Sequence, residues 1–435
     1  MLEVITFLEE LEIIKHSLIS RGYNMNLRAA PDNLGVTKAQ PSFAIVPRRL
    51  FTSLHFHERT TVGWNMIATG NLKTVLPAIS CHPPGLVIAL YLQQIDRWHA
   101  ELLAILLLMM LCTSAHSQIM DIDVTVAKDG SGNFSKVQEA INHAPNFSPR
   151  RYKIQIREGI YIENITVPEH KINLMLVGDG MDKTTISGNR STAGGTTPTY
   201  QTATAAIEGQ GFVACDITFQ NTAGPQDDRA VALRVEANHS AFYRCRFKGY
   251  QDTLYTRRES QFFRDCEIYG TVDIIFGDSS AVFQNCIIYA LKPLVLQKNT
   301  ITAQKREYPK ENSGIIIHNC TIMASPELRQ QGSKFKTFLG RPWGNFSRTI
   351  ILQSFLDNLI DPGGWLEWEG KGHSVDKVDY AEYENRGPGA STVGRVKWAR
   401  VINSSGEATK FTVRNFIEGD TWIPSIGIPY FLDLM

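Results

Sequence analysis

The stretches FYRCRF (242–247), FRDCEI (263–268) and FQNCII (283–288) repeat one short pattern, apolar-x-x-Cys-x-apolar. The pattern also occurs as FVACDI (212–217) and IHNCTI (317–322), and as ILQSFL (351–356) with serine in place of cysteine. Successive first residues lie 30, 21, 20, 34 and 34 positions apart. Similar short strands returning every 20 to 34 residues are what a solenoid produces, each turn adding one strand and stacking equivalent positions on the next turn. Helical repeats need 3.6-period segments of about ten residues or more in every unit, and the repeats contain none. The reading is therefore all-β, a single-stranded, right-handed parallel β-helix. Its one amphipathic helical stretch, Phe134 to Ala144 with Val137, Ala140, Ile141 and Ala144 on one face, is expected to cap an end of the open core. The cysteines read as an interior ladder, and Cys245 and Cys266, one turn apart, are candidates for a disulfide between neighbouring coils.

Outward from the repeats, the rest of the chain is ordinary globular material. Of 435 residues 43% are apolar and 20% charged, with 44 Lys plus Arg against 43 Asp plus Glu. That balance gives no support to a nucleic-acid binder. Residues 1–97 show no sustained period and are expected to be poorly ordered. Within residues 98–118, the run Leu102 to Cys112 (LLAILLLMMLC) is too short for a membrane span and fits the apolar region of a secretory signal, with small residues following near Ala115 to Ser117. Its position a hundred residues into the chain leaves three readings: an artefactual start upstream, an internal signal-anchor, or a buried helix. The first is favoured. Residues 119–435 are expected to form the β-helix. Sequons at Asn133, Asn146, Asn164, Asn189, Asn238, Asn319, Asn345 and Asn403 are compatible with a secreted glycoprotein.

Several motifs fall away. Gly209-Gln-Gly-Phe-Val-Ala214 matches a dinucleotide fingerprint but runs into a strand, so it reads as a turn. Asp129-Gly-Ser-Gly-Asn133 also reads as a turn. The scattered histidines form no triad and no metal cluster. What remains is polar residues among apolar neighbours. GYQDTLY (249–255) sets Gln251 and Asp252 between aromatics, and GTVDIIFG (270–277) sets Asp273 in an apolar strand. Their 21-residue separation equals the spacing from Phe242 to Phe263, which puts the two aspartates side by side on adjacent coils. Two carboxylates at that range cannot both ionise freely, so one pKa rises while the other stays low. That makes an acid and a nucleophile from one residue type. LGRPW (339–343) adds Arg341, a permanent cation, and Trp343, an apolar plate suited to a sugar ring. Either aspartate alone reads as a turn residue satisfied by backbone donors; the pair with a cation does not.

At these residues the sequence resembles the plant pectinesterase (pectin methylesterase) family, over roughly Val124 to Leu432. The matching stretches are GIYIEN (159–164), GDG (178–180), FQNTAGP (219–225), AVALRV (230–235), AFYRC (241–245), GYQDTLY, GTVDIIFG, LGRPW and GGWLEW (363–368). The resemblance implies a pectin-lyase-like β-helix that hydrolyses methyl esters of polygalacturonate without metal or organic cofactor. It implies Asp273 as nucleophile, Asp252 as general acid and base, Gln251 as oxyanion donor and Arg341 as the group orienting Asp273. Thr199, Arg229, Tyr255, Phe276 and Trp343 fall at or beside substrate-binding positions. It further implies methyl-esterified homogalacturonan as partner, a proteinaceous pectinesterase inhibitor as a second, a monomeric state, and secretion to the plant cell wall. Two departures stand out. Arg229, preceded by Asp227 and Asp228, occupies a position where the family usually has glutamine, and Ile274 follows Asp273 where an aromatic is usual. The first leads to an expectation of weakened or altered activity, and opens a second reading, an impaired pectin-binding homologue. A glycosidase or lyase on the same fold is a third. Residues 1–118 do not resemble the inhibitor-like helical bundle that many plant members carry.

Overall fold

A computed structural model describes residues 121–369 and 374–435. The segments 1–97 and 98–118, with the signal-like run, lie outside the described residues. Among those described, the strands assemble into three wholly parallel sheets of eleven, seven and eight strands. One coil contributes a strand to each sheet in turn: Ser240–Tyr243, Arg246–Lys248, Leu254–Thr256, then Ser260–Arg264, Glu267–Gly270 and Ile275–Gly277 on the next coil. Neighbouring coils pair in register, Phe242 with Phe263 and Phe263 with Phe283. This is the parallel β-helix that the repeats predict.

Stacking in register gives like side chains like neighbours. The rings of Phe242, Phe263 and Phe283 stack at 4.8 and 4.4 Å between centroids, nearly coplanar, and Ile317 and Ile351 continue the column. Three residues further on, Cys245, Cys266, Cys286, Cys320 and Ser354 form the small-residue column, all buried. The residue before each of them (Arg244, Asp265, Asn285, Asn319, Gln353) has a positive φ, the tight corner that turns the chain from one sheet into the next. Sheet pairing matches Tyr243 to Cys215, so FVACDI stands two residues out of phase with the other repeats. Asp216 makes the corner there, Ile217 takes the interior column, and Cys215 faces outward beneath the C-terminal segment that contributes Phe416, Trp422 and Ile423.

The candidate Cys245–Cys266 disulfide is absent; both thiols are free, and both lie in the interior ladder. In-register stacking makes their Cβ vectors parallel rather than convergent, and bridging needs convergence. Each Sγ instead donates to a carbonyl of the preceding coil, Cys245 to Ala214 and Cys266 to Phe242, both at 3.4 Å.

The helix at the N-terminal end spans Val137–His143, three residues shorter at its start than Phe134 to Ala144 suggests. Phe134 is drawn into a parallel bridge with Val126. The Glu163 carboxylate satisfies the first helical amides, accepting from Val137 and Gln138 at 2.9 and 3.1 Å. Val137, Ala140 and Ile141 are fully buried in the first coils, so the helix closes the core. The stretches 129–133 and 209–211 are turns, as expected. Of the sequons, Asn133, Asn146, Asn189 and Asn403 are exposed, whereas Asn164, Asn238, Asn319 and Asn345 are half-buried.

Free thiols make a direct expectation. Unfolding the protein without reductant in the presence of an alkylating reagent will label both Cys245 and Cys266 in peptide mass spectra; a linked peptide pair would contradict the stacked arrangement.

Candidate active site

The seven-stranded sheet carries the polar residues that the sequence singles out. Its strands Leu254–Thr256 and Ile275–Gly277 pair Leu254 with Ile275 and Tyr255 with Phe276. Two residues upstream, the same register sets Asp252 beside Asp273. Both have positive φ, 64° and 51°, a backbone state that aspartate tolerates better than most residues, and both are 6% exposed. Adjacent strands lie about 4.8 Å apart, so the two carboxylates come from positions one coil spacing apart. Tight backbone packing fixes the strand after Asp273: a Cβ on Gly277 (φ 131°) would lie 1.9 Å from the Thr256 carbonyl oxygen.

Arg341 reaches Asp273 from two coils further along. Its Nε and Nη2 donate to Oδ1 and Oδ2, each at 2.8 Å, a two-pronged ion pair that fixes the carboxylate plane. Thr300, on the next coil, donates its hydroxyl to Asp273 Oδ1 at 2.7 Å, and the same hydroxyl oxygen accepts from the Asp273 amide at 2.7 Å. Asp252 has no such cation. Burial pushes its carboxyl well above the usual carboxylate range, and the Asp273 charge adds to the effect; Arg229, Arg341 and then Asp228 act less strongly, the two arginines in the opposite direction. The two carboxyl groups thus stand in unlike surroundings, one with a fixed counter-ion and one raised by burial, an arrangement that suits acid and nucleophile chemistry.

Aromatic side chains continue the groove. Tyr255 stacks on Phe276 at 4.3 Å, Phe276 meets Trp343 at 6.1 Å, and Trp343 stacks on Trp368 at 6.2 Å. The Arg341 guanidinium lies 4.4 Å from the Trp368 ring and Lys305 Nζ 4.5 Å from the Trp343 ring. Gln251 is half-buried directly before Asp252 and bridges Arg229 by parallel backbone pairing. Thr199 opens the short turn Thr199–Gln201, and its contacts run within that turn rather than to the aspartates. The Arg229 side chain is 48% exposed, its Nε 3.5 Å from Asp228 Oδ2. Ile274 is fully buried in the core.

Sequence reasoning missed Thr300, Trp368, Lys305 and Asp278. Carrying the coil register one turn beyond Asp273 would have reached Thr300, and Trp368 ends the quoted GGWLEW. Asp278, half-buried two residues beyond Phe276, accepts from Ser313 Oγ at 2.5 Å and Gln304 Nε2 at 3.3 Å. Burial raises its carboxyl to about 6.

Fold and site together define a β-helical protein built around a paired-carboxylate centre in an aromatic groove. The family model for pectinesterase matches residues 123–420. The chain is 52% identical over 314 residues to the pectinesterase/pectinesterase inhibitor PPE8B of Prunus persica, covering 72% of this chain and 60% of that protein. It is 50% identical over 310 residues to pectinesterase 2 of Citrus sinensis, covering 71% and 60%. Among solved structures, pectin methylesterase from carrot superposes with a TM-score of 0.71 at 46% identity, covering 72% of this chain and 99% of that one. This chain belongs to the pectinesterase family, and spans about 60% of the length of the curated relatives it matches.

Asp278 yields a stability test. Its raised carboxyl binds a proton more tightly folded than unfolded, so ionising it costs stability as pH climbs from the ordinary carboxylate range through about 6. Asp278→Asn is expected to raise Tm by a few degrees above about pH 7, with the gain vanishing below about pH 4. Thermal unfolding of both proteins across that range checks it.

Proposed function

We propose that this protein hydrolyses methyl esters of polygalacturonate, releasing methanol, and that residues 121–435 hold the catalytic unit. The observation that carries the reading is the Arg341 fork on Asp273 beside a buried Asp252 that lacks such a cation and whose carboxyl burial pushes upward.

In this reading the ester carbonyl at C6 of a galacturonate sits over Asp273, with the sugar ring against Trp343. An Asp273 oxygen attacks the carbonyl carbon, whose π electrons move onto oxygen as a tetrahedral intermediate forms. Gln251 donates to that oxyanion, where one well-aimed donor is worth on the order of 3 kcal/mol. Collapse breaks the bond to the methoxy oxygen, and Asp252 gives that oxygen its proton, so neutral methanol departs and an acyl-enzyme remains. Asp252, now a carboxylate, takes a proton from water as the water attacks the acyl carbon. Breaking the bond to Asp273 returns both aspartates to their starting states and leaves a free uronic acid, which gives its proton to solvent. Thr300 and Arg341 hold Asp273 in place throughout, and Tyr255 and Phe276 wall the groove. Thr199 and Arg229 border the substrate. The polymer is methyl-esterified homogalacturonan, which places the protein in the plant cell wall, the setting in which a proteinaceous inhibitor would meet it as a single chain.

Methanol release from methylated pectin tests the reading. Asp273→Ala is expected to lower it by at least about a thousandfold while pectin still binds. Wild-type protein that binds pectin but releases no methanol would instead favour an impaired binding homologue, and a fall in pectin viscosity would point to chain cleavage.

Arg229 bears on the pH range. General-acid action needs Asp252 protonated, and the nearby Arg229 charge opposes that. Arg229→Gln is therefore expected to move the alkaline limb of the kcat/KM profile to higher pH, by up to about one unit. An unmoved limb would show that Arg229 does not govern the acid. An unchanged kcat would show that Arg229 is no handicap to the rate.

A further inference from the structure

The C-terminal tail, Ile428 to Met435, is tied to the eleven-stranded sheet by two glutamines. Gln284, at the end of strand Ser280–Gln284, accepts from the Phe431 amide at 2.7 Å and donates to the Phe431 carbonyl at 2.8 Å. Two coils further on, Gln353 accepts from the Met435 amide at 2.9 Å and donates to the Met435 main-chain oxygen at 2.7 Å. Each glutamine gives the tail the paired bonds that a neighbouring strand would give. Tyr430, Leu432 and Leu434 of the tail pack against the apolar cluster that contains Leu352 and Tyr383. Arg414 grips Asp433 at 3.0 and 2.8 Å.

His318 stands between the two glutamines, fully buried, at the end of strand Gly314–His318 on the intervening coil. Its Nδ1 lies 3.4 Å from Gln284 Nε2, and its Nε2 lies 3.2 Å from Gln353 Oε1. The Gln284 amide cannot be turned round, because its Oε1 accepts from Arg264 Nη1 at 2.7 Å as well as from Phe431. Gln284 Nε2 is therefore the donor and Nδ1 the acceptor. That assigns the proton of the neutral ring to Nε2, which donates it to Gln353. A second proton would have to sit on Nδ1, facing the Gln284 amino group. The charges nearby are committed elsewhere. Arg264 pairs with Asp265 at 3.1 Å, Glu384 accepts from Gln353 Nε2 at 3.2 Å, and Arg386 donates to the Gln353 carbonyl. On the tail, Asp433 is held by Arg414, and the main-chain oxygen of Met435, the last residue of the sequence, is held by Gln353. Burial keeps the imidazole below the ordinary histidine range; the bond to Gln353 works against this, and the Arg264 charge adds to it.

We propose that His318 is an acid-sensitive latch: a proton taken from solvent onto Nδ1 drives the Gln284 amide away and frees the tail, Ile428 to Met435, from the sheet. A ring that binds this proton less readily with the tail docked than with the tail free makes docking strongest above about pH 6.5 and weaker as pH falls below it. Release strips the Phe431 and Met435 pairings together, because one imidazole touches both glutamines.

Hydrogen exchange on the full chain, read by mass spectrometry at about pH 7 and about pH 5 and corrected for intrinsic rates, tests the latch. A peptide covering Ile428 to Met435 is compared with one covering the core strand Ser260–Arg264. At the lower pH the wild-type tail is expected to lose roughly tenfold in protection while the core strand keeps its own. His318→Gln, which can still donate to Gln353 and takes up no proton, is expected to hold its tail equally at both values. Arg414→Ala, which frees Asp433, is expected to loosen the tail by the same factor at both. A wild-type tail whose protection ignores pH, or a His318→Gln tail that loosens in acid as wild type does, would overturn the latch. Should His318→Gln fail to fold, the wild-type onset decides: loss beginning near pH 6.5 supports the latch, and loss confined to the carboxylate range near about 4 overturns it.

Discussion

Two carboxylates held one coil apart in a groove that largely excludes water are the constraint on which the site depends. Unit charges about 5 Å apart interact by roughly 3 kcal/mol where the effective dielectric is about 20, which is enough to keep a proton on one of them. The fold does not relieve this repulsion; it sustains it. In-register pairing of Leu254 with Ile275 fixes the coil spacing, and positive-φ corners at both aspartates hold them in place. Arg341 then breaks the symmetry by gripping Asp273 with Nε and Nη2, and burial pushes the Asp252 carboxyl upward. The difference between the two aspartates comes from surroundings rather than residue type.

The same register made much of the fold legible before any coordinates. Cysteines recurring at 245, 266, 286 and 320 are visible because each coil places the same kind of side chain at the same interior point. FVACDI marks the limit of that reasoning. It satisfies the pattern as text, yet Cys215 pairs with Tyr243 and points outward, because Ile217 can fill the interior column equally well. The corner residue breaks the period-two alternation, so a shift of two keeps Phe212 inside but moves the fourth residue, Cys215, out of the interior column to the outer face, and the short pattern does not record where the corner falls. The disulfide expectation failed for a related reason. Sequence separation of one turn says that two thiols are near; whether their Cβ vectors converge is a property of the backbone.

At the site, Asp252, Asp273, Arg341 and Trp343 were legible because a charged or large aromatic residue in an apolar coil is conspicuous. Thr300 was not. A threonine in a strand is unremarkable by composition, and its bond to Asp273 exists only because the next coil, after a longer loop, returns to register. Trp368 was hidden likewise, reaching the groove from a segment outside the main strands to lie over Arg341. The cluster around Glu236 was the least legible. Arg234 and Glu236 alternate along one strand, and their partners Glu208, Arg257 and Arg258 come from the coils on either side, so only the stacked structure assembles them.

Arg229 illustrates how local geometry limits a charge that sequence comparison makes look decisive. A cation where an uncharged amide is usual ought to favour ionised Asp252 and so disable the acid. The side chain is nearly half exposed, however, and lies 3.5 Å from Asp228, whose Oδ2 also accepts from the Thr192 hydroxyl at 2.8 Å. Water and a neighbouring carboxylate both weaken its field at Asp252, and an exposed charge acts through a high effective dielectric. Desolvation of Asp252 meets no such screening, and the Asp273 charge is buried alongside it. Burial therefore outweighs the substitution, and the Asp252 carboxyl stays raised although a positive charge stands beside it.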